Sequence, residues 1–293
     1  PLAMWQAKEV EQKLQNLGYE TSLVPVLSSG DKNLNQPLYS LGITGVFTKD
    51  LDIALLNNEI DIAVHSLKDV PTILPQNIEV SAVLERDFPQ DVLVRKSSSK
   101  NKDLSELKIA TSSLRRRAFW SEKFPNTQFS DIRGNVQTRL KKLEEGDFDA
   151  TLFSLAGIKR MEMGLEYEML DFMISAPSQG VVAISSRVDD VKTKAILQKI
   201  NHKTTQICVE IERNFLRTLE GGCTAPIGAL AVFEEHKIKF SGRLNSLDGS
   251  KTINVVEEFE YDDSENYGKK FAEFVLENGG KEMMEEIKKQ IKE

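Results

Sequence analysis

Four short segments of the 293-residue chain combine residue types that folding alone does not call for. The first is Thr111-Ser112-Ser113-Leu114-Arg115-Arg116-Arg117. Ser112 or Ser113 can cap a helix, which sets the arginines in its first turn. The helix dipole disfavours cations there by roughly 0.3–1 kcal/mol each. An anion held by free N–H groups and guanidinium forks would reverse the sign. A solvated surface turn is the alternative. The second segment is Arg133-Gly134-Asn135-Val136-Gln137-Thr138-Arg139, where Gly134 permits a tight turn and two arginines flank a helix start. Guanidinium suits bidentate recognition of carboxylate or phosphate. The two segments together point to a ligand with several negative charges.

The third segment is His65-Ser66-Leu67-Lys68-Asp69-Val70-Pro71. Asp69 beside Lys68 could be a surface ion pair, worth little, or a catalytic acid held ionised by neighbouring cations. His65 reads as a core or supporting histidine. No His/Cys/Asp spacing resembles a zinc site, so no metal is expected. The fourth segment is Glu220-Gly221-Gly222-Cys223-Thr224-Ala225-Pro226. Free cysteines are most often small buried hydrophobes, the reading given to Cys208. On a Gly-Gly loop Cys223 is more accessible and could act as a nucleophile.

These segments need elements to position them. Apolar residues at helical spacing predict a helix over 3–17, closed by Gly18. A strand over 19–27, a polar loop over 28–39, a helix over 48–57 and a buried strand over 61–65 follow. Strands at 92–94, 108–110 and 148–153, with helices at 113–123 and 136–145, make a second unit of similar plan. Alternation of this kind implies an α/β fold, whose ligands sit beyond the carboxyl ends of strands. The last third differs. A helix over 206–219 precedes strands at 227–233, 237–244 and 252–261, with Asp248-Gly249 as a hairpin signal. A long Lys/Glu-rich helix closes the chain. This reads as a small α+β domain with an antiparallel sheet.

Hydrophobic residues at 40% and charged residues at 28% fit an ordinary globular protein. A net charge of −7 argues against nucleic acid as a partner. No apolar run approaches the roughly 18 residues of a membrane span. Two cysteines make no disulfide framework and fit a reducing compartment, the cytoplasm. Residues 108–142 carry a basic stretch within this acidic chain.

Segments 65–71, 111–116 and 133–140 occur with Ala-Pro-Ser-Gln-Gly at 176–180 and Glu-Arg-Asn-Phe-Leu-Arg-Thr-Leu-Glu-Gly-Gly-Cys-Thr-Ala-Pro-Ile at 212–227. In this order they resemble the porphobilinogen deaminase (hydroxymethylbilane synthase) family, a combination specific to it. The resemblance implies two periplasmic-binding-protein-like α/β domains and a small C-terminal α+β domain. Their expected extents are 1–86 with 181–200, 87–180, and 201–293. It implies a transferase of tetrapyrrole and haem biosynthesis. Four porphobilinogen units are condensed head to tail on a covalent dipyrromethane cofactor with loss of ammonia, and hydroxymethylbilane is released by water. It implies that Cys223 carries the cofactor through a thioether and that Asp69 is catalytic. Lys68, Ser113, Arg115, Arg116, Arg133 and Lys49 would bind the cofactor. Arg139, Arg160 and Gln179 would bind substrate. The implied protein is monomeric and cytoplasmic, with no nucleic-acid or membrane partner.

The chain departs from the family pattern at several points. The family has an arginine and a serine just before Pro-Leu-Ala, here at Pro1–Ala3. It usually reads Lys-Gly-Leu-Phe where this chain has Thr44-Gly45-Val46-Phe47. Asn35 stands at a frequent aspartate, and Ser178 at a usual glycine. Two other readings therefore stay open. One is a deaminase-like protein that binds pyrroles without turnover. The other is a non-catalytic anion-binding module, which would have no use for the Gly-Gly-Cys loop.

Overall fold

The computed structural model describes residues 2–26, 48–220 and 225–292. Helix α1 (Leu2–Asn16) buries Gln6, Val10 and Leu14, spaced four apart on one face. Residues 19–26 form no ladder, in contrast to the strand expected there. Leu23 and Val24 are exposed, and Pro25 lacks an N–H to give a neighbour. Helix α2 (Lys49–Leu56) follows.

The first sheet has the order β1-β8-β2: β1 (Ala63–Ser66), β2 (Ile78–Val83) and β8 (Val182–Arg187). Both pairings are antiparallel, so a strand from far downstream sits between two early ones. Helix α6 (Val191–Leu197) continues from β8, and Leu197 packs with Val10, Leu14 and Ile184.

The second sheet is mixed, in the order β5-β4-β6-β3-β7. Its strands are β3 (Asp91–Arg95), β4 (Ile109–Ala110), β5 (Phe129–Ser130), β6 (Ala150–Ser154) and β7 (Glu168–Met169). Strand β4 runs parallel to β5 and β6, while β3 is antiparallel to β6 and β7. Helices α3 (Leu114–Lys123), α4 (Val136–Glu145) and α5 (Leu155–Arg160) belong with this sheet. Its core holds the fully buried Phe119 and Trp120.

Helix α7 (Lys203–Thr218) leads to an antiparallel meander of β9 (Ile227–Glu234), β10 (Lys237–Asn245) and β11 (Thr252–Glu260). Helices α8 (Tyr267–Val275) and α9 (Lys281–Lys292) follow. The single closing helix expected from sequence is broken, because Asn278 and Gly279 leave helical geometry and Gly279 takes φ +97°. The fold is thus two α/β units plus a C-terminal antiparallel-sheet unit.

The C-terminal unit is tied to both others. Gly249, at the tip of the β10–β11 hairpin, lies against α3: an added Cβ would fall 2.5 Å from the Ala118 carbonyl oxygen. Asn245 Nδ2 donates to Glu122 of α3 at 2.8 Å. Glu212 on α7 is fully buried. It accepts from Arg86 at 2.6 Å, from the Ser178 N–H at 2.7 Å and from the Ala231 N–H at 2.7 Å. These partners lie on the two segments joining the α/β units and on β9.

Candidate active site

Strand β1 ends at Ser66, and Leu67–Asp69 forms a single 3-10 turn. Leu67 and Val70 are buried and anchor the turn, with the Leu67 N–H on the Val181 carbonyl at 2.9 Å. Between these anchors, Lys68 and Asp69 face a cleft of about 340 Å³. The facing wall comes from the second sheet's unit and includes Arg116, the 134–137 turn, Arg139, Phe153, Gly157 and Arg160. Ser178, Gly180 and Val181 of the returning connection also line it. Gly180 takes φ +86°, and an added Cβ would lie 3.0 Å from the Phe88 carbonyl oxygen. A side chain there would push the two connecting segments apart.

Ser113 caps α3, its Oγ accepting the Arg116 N–H at 3.4 Å. The arginines that follow do not stand in water. Asp91, the first residue of β3, is wholly buried between them. Its Oδ2 lies 2.7 Å from Arg115 Nη2 and its Oδ1 2.7 Å from Arg116 Nη2. Arg115 also donates to the Ile174 carbonyl at 2.7 Å, and Arg116 to the Leu152 carbonyl at 2.9 Å. Gln179 Nε2 donates to Asp91 Oδ1 at 3.2 Å, while its Oε1 accepts from Lys68 Nζ at 3.2 Å. A polar chain therefore runs from Lys68 through Gln179 and Asp91 to both arginines.

Asn135 caps α4 by accepting the Thr138 N–H at 2.9 Å. Gly134 takes φ +117°, which favours glycine, and its neighbours at 135–137 bring the positive end of α4 to the cleft. Arg139 stacks over Phe153 at 4.1 Å and donates to the Leu152 carbonyl. Its Nε is buried with no hydrogen-bond partner among the described residues. Arg160, the last residue of α5, donates to Asp87 at 3.2 Å and to the Gly180 carbonyl at 2.7 Å, and packs over Trp5.

The fold thus brings together Lys68, Asp69, Arg116, Arg139 and Arg160 on the cleft wall. Gln179 is buried behind it and acts as a strut. Ser113, Arg115 and Arg133 lie outside the wall, although Arg115 reaches it through Asp91. Lys49 is exposed at the start of α2. Cys223, together with Asn35, the 28–39 loop and Thr44–Phe47, lies outside the described residues. Among the described residues, no group of His, Cys, Asp or Glu is arranged to hold a metal ion. Sequence reasoning missed Asp91, Arg86 and Glu212. Glu212 had a signal: it falls on the apolar stripe of α7 with Cys208, Ile211 and Phe215. Asp91 only opens an apolar strand, and nothing local announces its partners.

Burial sets the electrostatics of the cleft. It raises the Asp69 carboxyl above its ordinary value through the protein packed around it, although the residue itself is open to the cleft, and against the opposing pull of Lys68 and Arg116. It lowers Lys68 to about 8; Asp69 resists this and Arg116 adds to it. Burial also opposes ionisation of Asp91, but the charges and hydrogen bonds of Arg115 and Arg116 outweigh it and hold the carboxyl well below its usual range. Burial, then the like charge of Arg116, disfavours the cationic form of Arg139. The wall therefore presents an excess of positive charge in a site partly screened from water. A carboxylate-bearing ligand would relieve it, and Asp69 alone among these wall residues would face a positive centre.

The family model for "Porphobilinogen deaminase, dipyromethane cofactor binding domain" matches residues 1–195. That for "Porphobilinogen deaminase, C-terminal domain" matches residues 206–277. A probable porphobilinogen deaminase of Methanocaldococcus jannaschii is 49% identical over 238 residues, 80% of each chain. The porphobilinogen deaminase of Desulfitobacterium hafniense is 40% identical, covering 98% of this chain and 94% of its own. Among solved structures, the L-cystine solute receptor of Neisseria gonorrhoeae aligns at TM-score 0.38 and 14% identity, over 72% of this chain and 80% of its own. The likeness to the deaminases runs through the turn that carries Asp69 and the helix starts that carry the arginines, so the chain belongs to the porphobilinogen deaminase family.

Proposed function

We propose that this cleft is where the chain carries out hydroxymethylbilane synthesis, with Asp69 as the catalytic carboxylate. The observation that carries the reading is one carboxyl set among Lys68, Arg116, Arg139 and Arg160. Porphobilinogen bears an acetate, a propionate and an aminomethyl group. Its carboxylates match the cations, and its nitrogen chemistry matches the lone acid.

The cofactor named by the family model fits this wall. A dipyrromethane built from two porphobilinogen units carries four carboxylates. Among the described residues, the donors able to meet them are Lys68, Arg116, Arg139, whose Nε is buried without a partner there, and Arg160. Cys223 is proposed as its thioether anchor. When bound, the dipyrromethane supplies the free pyrrole α carbon to which the next unit is joined. Lys68, Arg139 and Arg160 orient the incoming carboxylates. Asp69 lies where positive charge develops on a pyrrole nitrogen as the C–N bond to ammonia breaks, and it stabilises that charge. Its raised proton affinity lets it give a proton to the leaving amine and take one from the ring carbon after coupling.

The proposed division of labour gives 1–86 with 181–200 the acid, 87–180 the anion site and 201–293 the cofactor loop. The pairing of β8 with β1 and β2 supports the first assignment. We also propose a monomer acting in the cytoplasm without nucleic acid. The net charge of −7 is unsuited to a polyanionic partner. Among the described residues, no helix is long and apolar enough to cross a membrane.

Intact mass tests the reading. Protein made in cells that synthesise porphobilinogen should exceed its sequence mass by about two pyrrole units, and Cys223→Ser should remove the excess. Asp69→Asn should keep the added mass and lose nearly all product formation. A bare mass for the unaltered chain, or near-normal turnover in Asp69→Asn, would overturn the assignment.

A further inference from the structure

The Leu67–Asp69 turn is too short to hold itself. It is a single 3-10 turn closed by Val70 N–H on the Leu67 carbonyl at 3.1 Å, so its placement must come from outside. The Val181 carbonyl takes the Leu67 N–H at 2.9 Å, and helix α7 supplies the rest. Val209 packs with Leu67 and Val70 in one apolar cluster. Four residues on, hence on the same face of the helix, Arg213 donates to three carbonyls of the turn. Nη1 reaches Leu67 at 3.3 Å and Val70 at 3.0 Å, and Nη2 reaches Pro71 at 2.6 Å. Guanidinium is planar with donors in a fixed fork. Three contacts from one rigid group fix both the position and the tilt of the segment that presents Lys68 and Asp69. Arg213 is not part of the cleft wall.

We infer that Arg213 is a positioning residue for Asp69, acting through the backbone of residues 67–71 and coupling the seating of the C-terminal unit to the catalytic turn. Its neighbour Glu212 grips the segments that connect the α/β units and the Ala231 N–H of β9. Two consecutive residues of α7 thereby set the Asp69 turn and the connections leading to the unit that carries the opposing arginines. A shift of that turn would change the distance from Asp69 to a pyrrole nitrogen and carry Lys68 with it, while Arg116, Arg139 and Arg160 on the opposite wall would still hold the carboxylates. The predicted signature is a loss in kcat with little change in KM.

This inference rests on the proposed function, and the test keeps the two apart. Arg213→Lys and Arg213→Met are compared with the unaltered chain, each normalised to cofactor-loaded protein by intact mass. A misplacement near 1 Å costs on the order of 100-fold in rate, so Arg213→Met should lose roughly 10- to 100-fold in kcat, with KM within about threefold. Arg213→Lys should recover part of the loss, since an ammonium can reach some but not all of the three carbonyls. Amide hydrogen exchange at residues 68–70 should quicken in Arg213→Met whether or not the protein turns over. A kcat per loaded enzyme equal to that of the unaltered chain would overturn the inference, as would a loss confined to KM or to cofactor loading, or unchanged exchange. If Arg213→Met does not fold, the kcat and exchange of Arg213→Lys decide alone. An unaltered chain that makes no hydroxymethylbilane would instead overturn the functional reading and leave the exchange result standing.

Discussion

Replacing Asp91 by Asn keeps the side-chain shape and removes the charge shared by two arginines. Arg115 and Arg116 are 6% and 9% exposed at the side chain, so water cannot take over. The new amide would also turn an N–H toward one guanidinium where an oxygen now accepts. Breaking a buried pair by removing one partner costs about 3–5 kcal/mol. Two pairs share this carboxylate, so the upper half of that range applies, without doubling because the contacts are not independent. At about 2–4 °C per kcal/mol for a chain of this size, Tm should fall by roughly 8–20 °C. Because Asp91 is held below its ordinary value, its contribution is fully present above the unfolded carboxyl value of 3.8 and is lost only as pH falls toward the folded one. The difference between the unaltered chain and the variant should therefore be flat from about pH 5 to pH 8. Calorimetry of cofactor-loaded protein at several pH values measures this. A Tm within 2 °C of the unaltered chain, or a difference that changes steadily across that range, would refute the account of Asp91 as a permanently ionised hub.

Two further outcomes are expected. Lys68 loses its charge as pH rises through about 8, so kcat/KM should decline above that value; Lys68→Arg should move the decline to much higher pH, and an unchanged alkaline limb would exclude Lys68 as its source. Burial lowers His65 from 6.5 to about 4, so the native state resists protonation: stability should fall as pH drops from 6.5 toward 4, by about 3 kcal/mol in all, and denaturant melts of His65→Gln should show a shallower loss than the unaltered chain.

Local chemistry made much of the molecule legible in its sequence. The helix expected over 136–145 is α4 residue for residue, because Asn135 caps it and Gly146 ends it. The Asp248-Gly249 signal marks the β10–β11 hairpin, where Asp248 accepts the Ser250 N–H and Gly249 takes a positive φ. The arginine-bearing helix starts stood out because the helix dipole does not favour cations there, and Lys68-Asp69 because they follow a buried strand. The strand expected over 19–27 failed because, within the described residues 19–26, the chain pairs with no neighbouring edge and leaves Leu23 and Val24 exposed.

What the sequence determined by itself was the set of groups: cations at helix starts, an acid beside a lysine after a buried strand, and a cysteine on a Gly-Gly loop. Which of those groups meet was decided by tertiary structure. Asp91 lies 25 residues from Arg116, and Gln179 lies 88 from Asp91 and 111 from Lys68. Residues this far apart meet only when sheets pair and helices pack. The spacing of such residues along the chain carries no record of the contact, and burial then gives the contact its strength. The sequence thus marked Arg115 and Arg116 as wanting an anion, and the fold supplied part of that anion from within the chain. The same packing left Arg116, Arg139 and Arg160 facing Asp69 across one cleft.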